Sequence, residues 1–314
     1  MRSVLMACCA TTLLLAGPAR AADHKVTYIQ GLTGNPFYTT VTCGAASAAK
    51  RLGVEFSAQG PRNYDPALQT QVLNAVIAAH PDAIMISIDD PVAMAPALKQ
   101  AKEQGIKVVT IDGDLTDTSI GLANVQSDNV QGGKLAAKTM ADLLGGKGEV
   151  MALNNTPTVG VAADRVDGFR EGLKAYPEIT FLGVQYSNNQ TAKAAALVSA
   201  TVAGHPDLAG VYTVTTNNTE GAVTGVREAG RIGKIRIVGF DTSDPIVEAI
   251  RAGTVDADVV QYPFGAGERG LEAAVAALDG KPVERNMQTP FTMATPKNVD
   301  TPEVQHFIYK THCS

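Results

Sequence analysis

The chain has 314 residues, of which 45% are hydrophobic and only 18% are charged. This composition supplies enough apolar surface for a large core and excludes a disordered, collagen-like or coiled-coil chain. Lysine and arginine total 26 against 31 acidic residues, and no basic run exceeds two residues, so the sequence lacks the clustered cations of a nucleic-acid-binding protein. At this length we expect two domains.

The first 21 residues have the pattern of a secretory signal peptide. Arg2 precedes an apolar stretch from Val4 to Gly17, and Pro18-Ala19-Arg20-Ala21 follows with small residues in an A-x-A pattern. A positive start, a short apolar middle and a small-residue exit are the parts of such a signal, whereas a membrane span needs about 20 apolar residues. We therefore predict export with cleavage after Ala21. The alternative is a buried N-terminal helix or an anchor.

Two cysteines, Cys43 and Cys313, follow the predicted signal peptide. Cysteines of exported proteins often pair, but spacing alone does not establish disulfide geometry. A disulfide and two unpaired cysteines therefore both fit the sequence. No C-x-x-C or H-x-x-x-H pattern occurs, so we predict no metal site and no redox centre.

Strand and helix patterns alternate along the rest of the chain. Short apolar runs predict strands at Lys25–Gln30, Val54–Ala58, Ala83–Ile88, Lys107–Ile111, Glu149–Leu153, Thr180–Gln185, Gly210–Val214, Ile235–Gly239 and Ala257–Gln261. Amphipathic segments predict helices that include Tyr38–Leu52, Pro66–Ala79, Val92–Gln104, Val130–Leu144, Ala192–Ala203 and Ala266–Leu278. Such alternation is typical of parallel sheets covered by helices on both faces. We predict an α/β fold with two doubly wound parallel-sheet lobes, which suits this length better than one large sheet.

Polar side chains follow many of these strands. Open α/β sheets bind ligands outside the carboxyl ends of their strands, and there the sequence places carboxylates, amides, hydroxyls and aromatic rings, as in Asn35, Asp112 and Asp241. Such side chains suit a small neutral polyol, because each hydroxyl donates and accepts and a sugar ring has an apolar face. The alternative is that these residues only form turns and helix caps.

Six motifs occur in a fixed order along the chain: Gly34–Tyr38, Val108–Asp112, Ser127–Gly133, Arg165–Phe169, Val238–Asp241 and Gln261. Together they resemble the periplasmic sugar-binding proteins of bacterial ABC importers, the ribose/galactose type of the type I periplasmic binding protein fold. The resemblance covers residues 25–295. Related sugar-responsive repressors begin with a DNA-binding helix-turn-helix, where this chain has the predicted signal peptide.

The resemblance implies two lobes that close on a sugar about a three-crossover hinge. It places the N-terminal lobe at residues 22–126 plus 262–290 and the C-terminal lobe at 127–261 plus 291–314. The implied function is capture of a monosaccharide or related polyol in the periplasm and its delivery to the membrane permease. The implied partners are the sugar and the permease. We expect no nucleic acid, no cofactor and no metal, and we expect a monomer.

The family pattern also implies the ligand contacts. Polar groups would bind sugar hydroxyls and aromatic rings would cover the sugar ring; the set is Asn35, Phe37, Tyr38, Ser87, Asp112, Arg165, Asn189, Thr215, Asn217, Phe240, Asp241 and Gln261. Three positions depart from ribose-type members. Gly113 stands where those members often carry arginine, Thr215 where they often carry asparagine, and Asn189 where some carry an aromatic residue. We therefore expect a sugar or polyol other than ribose.

Two other functions remain open from the sequence. The same ligand chemistry would serve a chemoreceptor or a sensor kinase, and a secreted enzyme could use the same scaffold. Gly265–Gly270 matches the dinucleotide pattern G-x-G-x-x-G, but too little chain follows it for a Rossmann half. No phosphate-loop or G-x-S-x-G motif occurs. We therefore predict no enzyme. The tail at 296–314 extends past the shorter family members, and its sequence indicates no function.

Overall fold

The computed structural model describes residues 24–157 and 160–313. The predicted signal peptide and its cleavage site lie outside the described residues. Within those ranges no helix combines the length and the apolar character needed to cross a membrane.

Strands and helices alternate through most of the described chain. The strands are β1 (Lys25–Ile29), β2 (Glu55–Gln59), β3 (Ala83–Ile86), β4 (Lys107–Ile111), β5 (Ala123–Ser127), β6 (Lys147–Asn154), β7 (Glu178–Tyr186), β8 (Leu208–Thr213), β9 (Arg236–Phe240), β10 (Ala257–Gln261), β11 (Asn286–Thr289) and β12 (Phe291–Ala294). The helices are α1 (Pro36–Leu52), α2 (Pro66–Ala78), α3 (Ala95–Glu103), α4 (Asn129–Leu144), α5 (Val161–Leu173), α6 (Thr191–Gly204), α7 (Thr216–Glu228), α8 (Asp244–Arg251), α9 (Pro263–Leu278) and α10 (Pro302–Gln305).

The strands form two sheets of six. The first has the order β11-β5-β4-β3-β1-β2 and the second the order β12-β10-β9-β8-β6-β7. All pairs in the first sheet are parallel, and in the second only β12 runs antiparallel, against β10. Apolar side chains fill the space between sheets and helices, as expected for strands buried on both faces. The predicted fold class of two doubly wound parallel-sheet lobes is confirmed.

The chain passes between the two sheets three times. It leaves the first sheet after β5 and enters the second at β6, returns between β10 and β11, and leaves again between β11 and β12. The first two crossings lead into helices, α4 and α9, which pack on the sheet that the chain is entering. Three crossings follow the predicted hinge connectivity, and they bring the carboxyl ends of both sheets to face each other.

Several elements differ from the sequence prediction. The sequence does not predict strands β5, β11 and β12, because all three are short and β5 and β11 are rich in polar residues. In β5 the buried Asn124 amide donates to Thr110 Oγ1 at 2.8 Å and to the Gly113 carbonyl at 2.6 Å, so a polar residue is satisfied inside the sheet. Helix α3 begins three residues later than predicted, because Asp90 instead accepts from the backbone N–H groups of Val92 and Ala93 and forms a turn.

The glycines of the G-x-G-x-x-G match lie inside helix α9 and serve packing. A Cβ atom on Gly267 would lie 2.0 Å from the Val41 carbonyl oxygen, and one on Gly44 would lie 1.9 Å from that of Phe264. Only glycine permits this close approach of α1 and α9. These glycines therefore bring the two helices together and do not form a phosphate-binding loop.

Cys43 and Cys313 form a disulfide across 270 positions of sequence. Of the two alternatives left open by the sequence, the structure shows the paired one. The bond fixes the C-terminal tail to α1, which packs on the first sheet.

Candidate functional site

A cleft of about 380 Å³ lies between the carboxyl ends of the two sheets. Its volume falls in the ordinary range for small-molecule sites, about 300–1,000 Å³. The structure brings eight predicted site residues to its wall: Asn35, Phe37, Tyr38, Asp112, Arg165, Asn189, Thr215 and Asp241. These residues lie up to 206 positions apart in the chain, so the cleft exists only in the folded protein.

Arg165 on α5 is the central cation of the cleft and its side chain is only 1% exposed. Its Nη1 donates to Asp241 Oδ2 at 2.9 Å and to the Val214 carbonyl at 2.8 Å, and its Nε donates to Asn129 Oδ1 at 2.8 Å. Its Nη2 donates to Asp112 Oδ1 at 3.4 Å. A guanidinium has five N–H donors, so one Nη2 hydrogen has no protein acceptor within the described part of the chain.

The ring of Phe240 lies under the Arg165 guanidinium, with 4.0 Å between the guanidinium carbon and the ring centroid. A cation over an aromatic face is attracted to the ring, and it is attracted more strongly when both groups are desolvated. Phe240 is fully buried and does not line the cleft. It therefore supports Arg165 from below, whereas the family pattern implies that it covers the sugar ring.

Two aspartates occupy equivalent positions on the two sheets. Asp112 follows β4 and Asp241 follows β9, and both adopt left-handed backbone angles, with φ of 54° and 71°. In each case the backbone N–H donates to a carbonyl of the neighbouring strand, at 2.9 Å. Short polar residues such as aspartate tolerate this backbone region. The turn points both carboxyl groups toward Arg165.

The pKa of Asp112 is raised to about 7. Burial is the largest cause, because it disfavours the charged form. Arg165 opposes the shift, and the nearby Asp241 carboxylate adds to it. The charge of Asp112 therefore changes near neutral pH.

One wall of the cleft is aromatic. Asn35 caps α1 by accepting from the Phe37 N–H at 2.9 Å, which leaves its amide N–H₂ group for other partners. The rings of Phe37 and Tyr38 meet edge to face with centroids 5.3 Å apart. Tyr64, which the sequence analysis did not select, lies in the same wall. Burial raises the pKa of the Tyr38 and Tyr64 hydroxyls, so both stay protonated and can donate.

The opposite wall carries amides and a hydroxyl. Thr215 Oγ1 lies within hydrogen-bonding distance of Asn155 Oδ1 at 3.1 Å and of Asn189 Oδ1 at 3.3 Å. A hydroxyl has one hydrogen, so it cannot fully satisfy both amide oxygens. Asn155 was not predicted, although it directly follows a strand, where a polar residue could have been selected.

Three further predicted residues do not line the cleft. Ser87 Oγ bonds the Tyr28 hydroxyl at 2.7 Å inside the first half of the protein, and Asn217 donates from α7 to the Asn189 carbonyl at 2.8 Å. Gln261 donates through Nε2 to Asp241 Oδ1 at 2.8 Å. Each side chain is turned toward a protein partner, so Asn217 and Gln261 support cleft residues and Ser87 supports the first sheet.

Asp89 lines the cleft and was not predicted as a site residue, although it follows β3. It is 7% exposed, and neither carboxyl oxygen has a hydrogen-bond partner in the described residues. Burial raises its pKa to about 8. A buried carboxyl group without a partner is costly, which makes Asp89 a candidate to form hydrogen bonds with a ligand.

The acidic and basic residues that line the cleft are unequal in number. Among the described residues, Arg165 is the single lining cation, and it is accompanied by five carboxyl groups: Asp89, Asp112, Asp114, Asp164 and Asp241. The described residues include no group of three or more His, Cys, Asp or Glu side chains able to hold a metal ion. This excess of carboxyl groups opposes an anionic ligand and favours one rich in hydrogen-bond donors.

Comparison with known proteins identifies the family of this chain. The ribose import binding protein of Bacillus subtilis is 28% identical over 298 residues, which cover 94% of this chain and 95% of the relative. A solved ABC transporter solute binding protein from Agrobacterium vitis, bound with α-D-tagatopyranose, has a TM-score of 0.89 and 35% identity and covers 91% of this chain and 99% of its own. A second protein of that species, bound with D-fucose, has a TM-score of 0.87 and 29% identity, covering 91% and 100%. The family described as periplasmic binding protein domain matches residues 26–282, and the chain belongs to that family.

Proposed function

We propose that this protein is the solute-binding subunit of an ABC importer, that it captures a neutral monosaccharide or related polyol between its lobes, and that it delivers the ligand to the membrane permease. The observation that carries the proposal is the interlobe contact of Arg165 with carboxyl groups of both halves, Asp112 at 3.4 Å and Asp241 at 2.9 Å. A ligand in the cleft meets these groups together only when the lobes are closed.

The chemistry of the wall suits sugar hydroxyls. Ionised Asp112 accepts hydrogen bonds, and bonds to a charged acceptor are roughly twice as strong as neutral ones. The free Nη2 hydrogen of Arg165 donates to a ligand oxygen. Phe37 and Tyr38 offer apolar area to the sugar ring. Each sugar hydroxyl both donates and accepts, so one ligand engages all three kinds of group.

Binding would stabilise the closed form. Periplasmic binding proteins close around ligands by a hinge, and a ligand shifts the population toward the state that offers more contacts. We propose that the N-terminal lobe comprises residues 22–126 plus 262–290 and the C-terminal lobe 127–261 plus 291–314. The three chain crossings near these boundaries form the hinge.

We propose a ligand other than ribose. The solved relatives are bound with tagatose, fucose, arabinose and allose, so the fold accepts several monosaccharides. Gly113 has φ of +142°, and a Cβ atom there would lie 3.6 Å from Val161 Cγ1. The arginine that ribose-type members carry after the aspartate would be strained at this position.

The proposal also covers the maturation, the location and the oligomeric state of the protein, and the absence of turnover. The mature protein begins after Ala21, acts in the periplasm as a monomer and binds sugar without a cofactor and without turnover. Service to a chemoreceptor requires the same closed form, and no feature of the described residues favours it over the importer. Recovery of the sugar chemically unchanged after incubation with the protein supports binding, and its conversion would contradict this proposal.

Thermal unfolding with a sugar panel tests the proposal. The panel contains D-tagatose, D-fucose, D-arabinose, D-allose, D-ribose and polyols, added to protein freed of carried-over ligand by unfolding and refolding. A ligand at 100 times its Kd adds about 2.7 kcal/mol, which raises the Tm by roughly 2–4 °C per kcal/mol. Asp112→Asn should cut the shift to about half or less. The exposed Asp207→Asn is the matched control and should retain it. No shift with any panel member would refute sugar binding.

A further inference from the structure

The C-terminal tail, defined here as residues 295–313, returns from the second half of the protein to the first. After β12 the tail forms α10, which packs against that strand. Near its end the Lys310 N–H donates to Thr40 Oγ1 on α1 at 2.6 Å, and Cys313 is bonded to Cys43 on the same helix. The tail is therefore a covalently anchored connection between the halves, in addition to the three chain crossings.

Tyr309 is the tail residue that reaches the ligand site. It is 2% exposed, and its ring meets the Phe37 ring with centroids 5.6 Å apart. Its hydroxyl donates to Asp241 Oδ1 at 2.6 Å and accepts from the Gln261 N–H at 3.3 Å. Burial raises the pKa of this hydroxyl well above its usual value, so it stays protonated and donates. One side chain thus contacts a cleft residue of each half.

The hydrogen bonds to Asp241 divide its two oxygens between different partners. Oδ1 accepts from the Tyr309 hydroxyl and from Gln261 Nε2, which fills both of its lone-pair positions. Oδ2 accepts from Arg165 Nη1 and keeps one position free. With Oδ1 held by two donors, the carboxylate plane is fixed, and the free position of Oδ2 is left on the side of Arg165, in the cleft.

Packing alone does not explain the Tyr309 hydroxyl. Phenylalanine would make the same ring contact with Phe37, and a buried hydroxyl costs free energy unless it is hydrogen-bonded. Here the hydroxyl forms a charge-assisted hydrogen bond with Asp241, the stronger class of such bonds. The Tyr309 hydroxyl is therefore placed to form a hydrogen bond with the Asp241 carboxylate of the ligand site.

We propose that Tyr309 is a positioning residue for sugar binding: it orients Asp241 for the ligand, and the disulfide-anchored tail holds it in place. This inference rests on the proposed function. The Cys43–Cys313 bond then contributes to sugar affinity as well as to stability. Loss of the tail anchor should weaken binding in the same direction as loss of the hydroxyl.

The first test compares Tyr309→Phe with Tyr186→Phe, which makes the same chemical change at an exposed residue that does not line the cleft. The measurement is titration calorimetry with D-tagatose, D-fucose, D-arabinose and D-allose. Hydrogen bonds to charged groups are strong enough that Tyr309→Phe should raise the Kd at least about 10-fold. Tyr186→Phe should leave it unchanged. A Kd for Tyr309→Phe within about twofold of the wild-type value would overturn the inference.

A double-mutant cycle with Asp241→Asn separates positioning from general destabilisation. If Tyr309 acts through the Asp241 carboxylate, Tyr309→Phe should weaken binding in the wild-type background and add no further loss in the Asp241→Asn background. Equal losses in both backgrounds would overturn the inference. The variant Cys43→Ser/Cys313→Ser should also raise the Kd, by no more than Tyr309→Phe does.

The same double-mutant cycle can be measured by urea unfolding, which requires no ligand. It therefore distinguishes a failure of the Tyr309 proposal from a failure of the proposed function. If the wild-type protein binds no member of the sugar and polyol panel, the proposed function fails, and the unfolding cycle alone decides the positioning. Coupling between Tyr309→Phe and Asp241→Asn in the free energy of unfolding supports it, and additive effects overturn it. Unfolding also identifies any variant that fails to fold.

Discussion

Sugar affinity should fall as the pH drops below neutrality, because Asp112 accepts ligand hydrogen bonds only when it is ionised. Burial raises its pKa to about 7 in the ligand-free protein. A carboxyl group is protonated below its pKa, so the binding-competent fraction falls about tenfold for each pH unit once the pH is well below 7. We therefore expect the Kd to rise about tenfold between pH 8 and pH 6.

The assay is titration calorimetry from pH 5.5 to pH 8.5 with the sugar that gives the largest thermal shift. Repeating each titration in buffers of different ionisation enthalpy counts the protons released, and release should be greatest below pH 7. Asp112→Asn keeps the shape of the side chain and removes the titration. It should bind about 10-fold to 100-fold more weakly at pH 8, the range for a lost charged hydrogen bond, with little change between pH 8 and pH 6.

Other groups face Asp112, and their contribution to the pH dependence must be distinguished from that of Asp112. Arg165 lies at 3.4 Å from α5, and Asp241 and Gln261 face it from the second sheet. Asp89 also lines the cleft with a pKa of about 8, so its titration overlaps. Asp89→Asn is the control and should leave the slope below pH 7 in place. A flat wild-type profile, or a slope that survives in Asp112→Asn, would refute the reasoning.

Three further predictions concern stability, each measured by urea or thermal unfolding. Arg165→Met should lower the free energy of unfolding by about 3–5 kcal/mol, because it leaves two buried carboxyl groups of the cleft without their cation. A loss under about 1 kcal/mol would contradict this expected effect. Asp258 is fully buried and its carboxyl group has no hydrogen-bond partner among residues 24–157 and 160–313. Burial raises its pKa, so its ionisation opposes folding as the pH rises above the usual carboxyl range. Asp258→Asn should therefore raise the Tm relative to wild type more at pH 8 than at pH 4, and an equal change at both would count against it. Gly267→Ala should lower the free energy of unfolding by about 1–3 kcal/mol, because the added Cβ would lie 2.0 Å from the Val41 carbonyl oxygen. The control Gly204→Ala adds a Cβ in open space and should change the free energy of unfolding by less than about 1 kcal/mol.

The sequence by itself determined the fold class and pointed to eight of the residues that line the cleft. Strands and helices follow local periodicity, and parallel strands present their carboxyl ends at one edge of each sheet. Polar residues that follow the predicted strands closely therefore line the cleft, as Asp112, Asp241 and Thr215 illustrate. Arg165 came from the family resemblance, because nothing in its local pattern distinguishes it from a surface arginine on a helix.

The tertiary structure decided which polar side chains face the cleft and which face the protein. Ser87 turns toward Tyr28, whereas Asp89, two residues later, lines the cleft, and its carboxyl oxygens have no hydrogen-bond partner in the described part of the chain. It also decided that β11 and β12, separated by one residue, belong to different sheets. It paired Cys43 with Cys313 and placed Tyr309 on Asp241. These outcomes depend on partners tens to hundreds of positions away in the chain, and local periodicity carries no information about such partners.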